Sequence, residues 1–161
     1  MSDREISLKE KFKLALKSTA RVISDDFELN KKTSETNNSK DLDIDGIDNL
    51  NNPSDFIRLR AETDSKALKK KFSNNSIYRK NLPSNNSSRS LYNIAEKIRY
   101  EVLGGKMLKG IEKNFNENYL QIINRKRKDQ LKTKEDVPVA EAFELYMLKN
   151  FHQIKLNSLS S

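Results

Sequence analysis

Apolar residues recur at helical spacing along much of the chain, most regularly between Leu91 and Phe115. In the first half of this stretch they fall three or four positions apart, as on one face of an α-helix: Leu91, Ile94, Ala95, Ile98 and Val102. We expect Gly104 and Gly105 to end this helix, because glycine enters the left-handed terminal conformation without a Cβ penalty. A second apolar stripe then restarts at Met107, Leu108, Ile111 and Phe115. The pattern predicts two helices packed as a hairpin at the centre of the fold.

Three further amphipathic helices are predicted outside the hairpin. Ser7–Ser24 forms the first, with most of its lysines pointing away from the apolar face. That face is predicted to consist of Phe12, Ala15, Leu16, Thr19, Val22 and Ile23. A second helix, with a thin apolar side, follows a cap at Ser54 or Asp55 and ends near Phe72. The last begins near Pro138, since the missing N–H of proline costs nothing in the first turn of a helix.

The polar segments between these helices set the expected organisation. Residues 31–53 are rich in Asn, Asp, Ser and Thr, and we predict a flexible insert there. Residues 1–30 hold the first helix and a short extended piece, residues 54–152 the remainder of the helical domain, and residues 153–161 a disordered tail. Residues 73–88 are expected to be a linker, with Ser87 or Ser88 capping the next helix. The prediction is an all-α fold of about five helices in one domain.

Composition narrows the class of protein. Of the 161 residues, 35% are hydrophobic and 34% charged, so we expect part of the chain to be unfolded. The absence of cysteine excludes a disulfide framework and a thiolate metal site. No apolar run approaches the ~20 residues that a membrane-spanning helix needs. The N-terminus also lacks the apolar region of a secretory signal. A soluble cytoplasmic protein is expected.

The net charge of +8 would suit nucleic acid, an anionic membrane or an acidic protein partner. Repeated asparagine pairs, such as Asn37-Asn38 and Asn85-Asn86, indicate instead a proteome rich in lysine and asparagine. The charge therefore gives only weak support to any of these partners.

An acidic segment at Asp41–Gly46 copies the first half of a calcium loop, in which alternate carboxylates converge on the ion. The second half does not follow the pattern. Asn52 stands where a bidentate glutamate is needed, and Asp48 stands where an apolar residue is usual. We interpret the segment as a solvated acidic loop.

Residues suited to catalysis are sparse. The only histidine, His152, lies near the end of the chain, and we expect it at the surface. Neither a glycine-rich phosphate loop nor a recognisable nucleophile setting is present. Glu96, Arg99 and Glu101 form a polar constellation beside the hairpin, although a Glu–Arg pair at this spacing is usually a salt bridge. We expect no catalytic, cofactor-binding or metal-binding residue in this chain.

A basic run ends the second helix of the hairpin: Arg125, Lys126, Arg127 and Lys128. Cations at this point interact favourably with the helix dipole, which supplies a structural reason for them. They would also bind phosphates, but no aromatic platform for stacking bases accompanies them. A basic all-α module that binds nucleic acid therefore remains the alternative hypothesis.

The order of residues in the hairpin resembles the N-terminal region of the CobT family, a subunit of the aerobic, ATP-dependent cobaltochelatase. The pattern E-x-x-R-x-E-x-x-G, then M-x-x-G-x-x-x-N, is carried by Glu96, Arg99, Glu101, Gly104, Met107, Gly110 and Asn114. A D-S-x-A-L element at residues 64–68 is similar to one in the family. Ser73 and Tyr78 stand where the family has histidines. The family's C-terminal von Willebrand A-type domain does not follow, so we expect an N-terminal piece or a truncated relative.

The resemblance implies a subunit that joins a CobS-like AAA+ ATPase and a CobN-like large subunit in a hetero-oligomer of the ligase class. That complex inserts cobalt into hydrogenobyrinic acid a,c-diamide during aerobic cobalamin biosynthesis. ATP would be hydrolysed on CobS and cobalt inserted on CobN, so this chain is expected to bind neither. It would be an assembly or docking module. Its candidate partner interface comprises charged residues that we expect to be exposed: Glu96, Arg99, Glu101, Arg125, Lys126, Arg127 and Lys128.

Overall fold

A computed structural model describes residues 3–25, 50, 52–129 and 137–154. Six α-helices occupy these residues: α1 (Asp3–Ser24), α2 (Pro53–Phe72), α3 (Asn75–Asn81), α4 (Asn86–Met107), α5 (Lys109–Asp129) and α6 (Val139–Phe151). The all-α prediction is confirmed. Nowhere in this part of the chain is a helix long and apolar enough to cross a membrane. The segment resembling a calcium loop and most of the predicted insert lie outside the described residues.

The chain forms two compact units, an N-terminal unit (Met1–Lys71) and a C-terminal unit (Phe72–Ser161). In the N-terminal unit, α1 and α2 share a small core built on Leu16 and Leu59. Phe12 and Phe56 pack edge to face beside it, with ring centroids 5.0 Å apart. Leu50, which falls in the predicted insert, is buried in this core. The domain boundaries themselves stay a prediction.

In the C-terminal unit, α4 packs against both α5 and α6. The predicted hairpin is therefore present, but its turn was placed wrongly. Gly104 and Gly105 are helical, and α4 continues to Met107. Leu108 ends the helix in an extended conformation, and its N–H donates to the carbonyl oxygen of Gly104 at 2.9 Å. Both glycines are buried, and Gly105 allows close packing against α5 instead of ending a helix.

Two asparagine N-caps lie within the predicted linker, and each of them begins a helix. The side-chain oxygen of Asn74 accepts from the backbone N–H groups of Ser76 and Ile77 and starts α3, which the sequence pattern did not predict. Asn85 accepts in the same way from the N–H groups of Ser87 and Ser88, at 2.8 and 3.2 Å. The prediction that a serine caps α4 was therefore wrong. Those serines supply the amides that Asn85 caps.

Candidate functional site

Glu96 and Arg99 lie on one face of α4 and form a forked ion pair. The Nε and Nη2 atoms of Arg99 donate to the two carboxylate oxygens of Glu96 at 2.7 and 2.8 Å. Nη2 also donates to the carbonyl oxygen of Phe72 at 2.7 Å, and the hydroxyl of Ser73 donates to Glu96 at 2.9 Å. The hydrogen bond with Glu96 raises the pKa of Arg99 against the opposing effect of desolvation. The pair is partly exposed. Its hydrogen bonds with Phe72 and Ser73 join α4 to the start of the C-terminal unit.

Glu101 lies on the opposite face of α4 and does not belong to an exposed surface. Only 1% of the residue is accessible to solvent, so the expectation that Glu101 is exposed was wrong. The reason is helical geometry: residues three and four apart share a face, which groups Glu101 with the buried residues Ile98 and Gly105. The hydroxyl of Tyr119 on α5 donates to the Glu101 carboxylate at 2.6 Å.

His152 caps the C-terminal end of α6 and lies in the interior of the same unit. Its ring packs on Phe115 and Tyr119, with centroid separations of 6.0 and 5.6 Å. Its Nε2 atom is buried 3.9 Å from the Glu101 carboxylate and has no hydrogen-bond partner among the residues that the structure describes. The prediction that His152 lies at the surface was wrong, because the backbone after α6 turns back and buries Ile154 as well.

Burial determines the protonation of this cluster. It lowers the pKa of His152 to about 4, with a smaller contribution from the positive charge of Lys97. Burial also raises the pKa of Tyr119 far above its usual range, and the nearby Glu101 carboxylate adds to this effect. Near neutral pH the imidazole is therefore neutral and the phenol keeps its proton.

The cluster is suited to holding the fold together. The side chains of Glu101 and His152 are 1% and 2% exposed, so a substrate would have no direct access to them. Within the described ranges, no three His, Asp or Glu side chains come close enough to hold a metal ion. The cluster contributes one residue each from α4, α5 and the end of α6. It therefore joins α4, α5 and α6 of the C-terminal unit at one buried point.

The basic run lies at the end of α5, as the sequence predicted. Arg125 is exposed. The side chains of Lys126, Arg127 and Lys128 lie outside the described part of the structure. A partner contact at Glu96, Arg99 or this run stays a prediction.

Sequence reasoning missed a set of exposed apolar residues. They lie on α1 (Leu8, Leu14, Val22), at the α4–α5 turn (Leu103, Met107, Leu108) and on α6 (Val139, Tyr146, Phe151). Apolar positions that widen a helical stripe are the available sequence signal. That signal does not say which edge of the stripe is covered. Val22 illustrates this, because it was assigned to the buried face of α1 and is 58% exposed.

Comparison with known proteins extends across all six helices. A family model described as "Cobalamin biosynthesis protein CobT" matches residues 7–151. This span begins in the first turns of α1 and ends at the last residue of α6. Neither a curated protein nor a solved structure matches the chain.

Proposed function

The chain belongs to the CobT family of cobalamin biosynthesis proteins, and from this premise we propose that it is a docking module of an ATP-dependent cobaltochelatase. The partners would be a CobS-like AAA+ ATPase, on which ATP is hydrolysed, and a CobN-like large subunit. Cobalt and hydrogenobyrinic acid a,c-diamide would be substrates of the complex, bound by the partner subunits. The observation that carries the proposal is the family match across residues 7–151.

The positions of the family-like residues support a scaffold more than an active site. Glu101 and Gly104 are buried, and Glu96 and Arg99 are hydrogen-bonded to each other. In the N-terminal unit, the D-S-x-A-L element is buried at Asp64, Ser65, Ala67 and Leu68. Buried residues cannot contact another subunit, so partner binding would fall to the exposed residues around them. A module that presents surfaces to other subunits fits this division.

Retention of purified partner subunits tests the proposal. The tagged full chain is mixed with the organism's CobS-like ATPase or CobN-like subunit, with and without ATP, and we expect at least one to be retained. A variant that reverses the basic run (Arg125→Glu, Lys126→Glu, Arg127→Glu and Lys128→Glu) should lower retention if the run contacts a partner. The matched control reverses four exposed lysines elsewhere: Lys69, Lys80, Lys106 and Lys109.

The two outcomes separate the hypotheses. Equal loss in both variants would indicate a general charge effect and remove the basic run from the interface. Retention of neither subunit at low salt, together with tight binding of nucleic acid, would overturn the docking proposal and favour the basic nucleic-acid module.

A further inference from the structure

We draw no further inference here: the strongest candidate, the surface patch of exposed apolar residues Leu103, Met107 and Leu108 at the tip of the α4–α5 hairpin, carries none because nothing in the described part of the structure shows what covers it.

Discussion

His152 is neutral because two effects compete over its proton and burial dominates. The Glu101 carboxylate lies 3.9 Å from Nε2 and would favour a charged imidazole. Against it act the loss of solvent around the ring and the positive charge of Lys97. The outcome is a pKa of about 4, below the ordinary value of 6.5. Since this is the only histidine in the chain, its titration can be followed without interference from a second one.

The lowered pKa predicts a specific loss of stability in mild acid. The unfolded chain takes up the proton near pH 6.5 and the folded chain only near 4, so protonation favours unfolding between these values. The stability associated with neutral His152 is present above pH 6.5 and should fall by about 2 kcal/mol by pH 5. Urea unfolding of the protein and of His152→Phe, measured near neutral pH and near pH 5, isolates this loss as the difference between them. Phenylalanine keeps the ring contacts and removes the unpaired nitrogen.

Proton NMR of the single imidazole provides an independent check of this prediction. Its ring proton should not shift until the pH approaches 4. A midpoint near 6.5, or equal pH dependence of unfolding in the two proteins, would show that the Glu101 carboxylate offsets burial.

The sequence placed Glu96 and Glu101 in one pattern, yet the structure separates them. Helical geometry does predict that residues five positions apart face different directions. It does not say which face of α4 will be covered by α5 and α6. The covered face depends on contacts of Glu101 with Tyr119 and His152, which lie 18 and 51 residues after Glu101 along the chain. The expected exposure of Glu101 was therefore wrong, and a partner contact at the other candidate residues stays a prediction.

At the scale of elements, Gly105 determines how closely α4 and α5 approach. A Cβ added there would lie 3.2 Å from the Cβ of Glu112 on α5, which is tighter than ordinary contact. A Cβ added at Gly110, on α5, would have no neighbouring atom of the described residues within 4 Å. Both glycines are helical, so alanine would favour both helices by up to about 1 kcal/mol if packing were unaffected.

The two alanine variants should therefore have opposite effects. Gly110→Ala should raise the free energy of unfolding by a few tenths to about 1 kcal/mol. Gly105→Ala should lower it by about 1 kcal/mol, because overpacking a close helix contact typically costs more than the gain in helix propensity. Urea unfolding of both variants beside the parent protein measures the contrast. Equal stabilisation by both would mean that α5 moves away without cost and that Gly105 does not limit the hairpin.

The elements were predictable where an apolar stripe was long. The α4–α5 hairpin and the helix beginning after Pro138 follow directly from such stripes. The seven-residue α3 has no buried residue, so it offers no hydrophobic period to detect. It begins through the local hydrogen bonds of Asn74, a signal that the surrounding asparagine-rich sequence obscures. The end of α4 was misplaced because glycine permits both a helix end and a close helix contact.

At the scale of the whole molecule, the order of the helices carried more information than any single residue. The spacing of Glu96, Arg99, Glu101 and Gly104 indicated the family, which the match to residues 7–151 confirms. The division of each apolar stripe between core and surface was not predictable. Val22 and Ile23 are adjacent and similar in polarity, yet Ile23 is fully buried and Val22 is not. The exposure of Leu8, Leu14 and Val22 became visible only when the packing of α1 on α2 was known.

The net charge of +8 leads to a final prediction that separates the docking module from a nucleic-acid module. Lysine and arginine clustered on a protein release counterions from DNA whatever its sequence, so we expect weak binding of any duplex at low salt. If no surface reads bases, affinity should fall steeply and equally for unrelated sequences between about 50 and about 200 mM salt. Heparin should compete as well as DNA does. Filter binding of two unrelated duplexes across this salt range measures how the affinity for each one changes. Binding that persists at the higher salt, or that differs between the sequences by about tenfold or more, would indicate a surface that recognises base sequence. Either result would favour the nucleic-acid hypothesis.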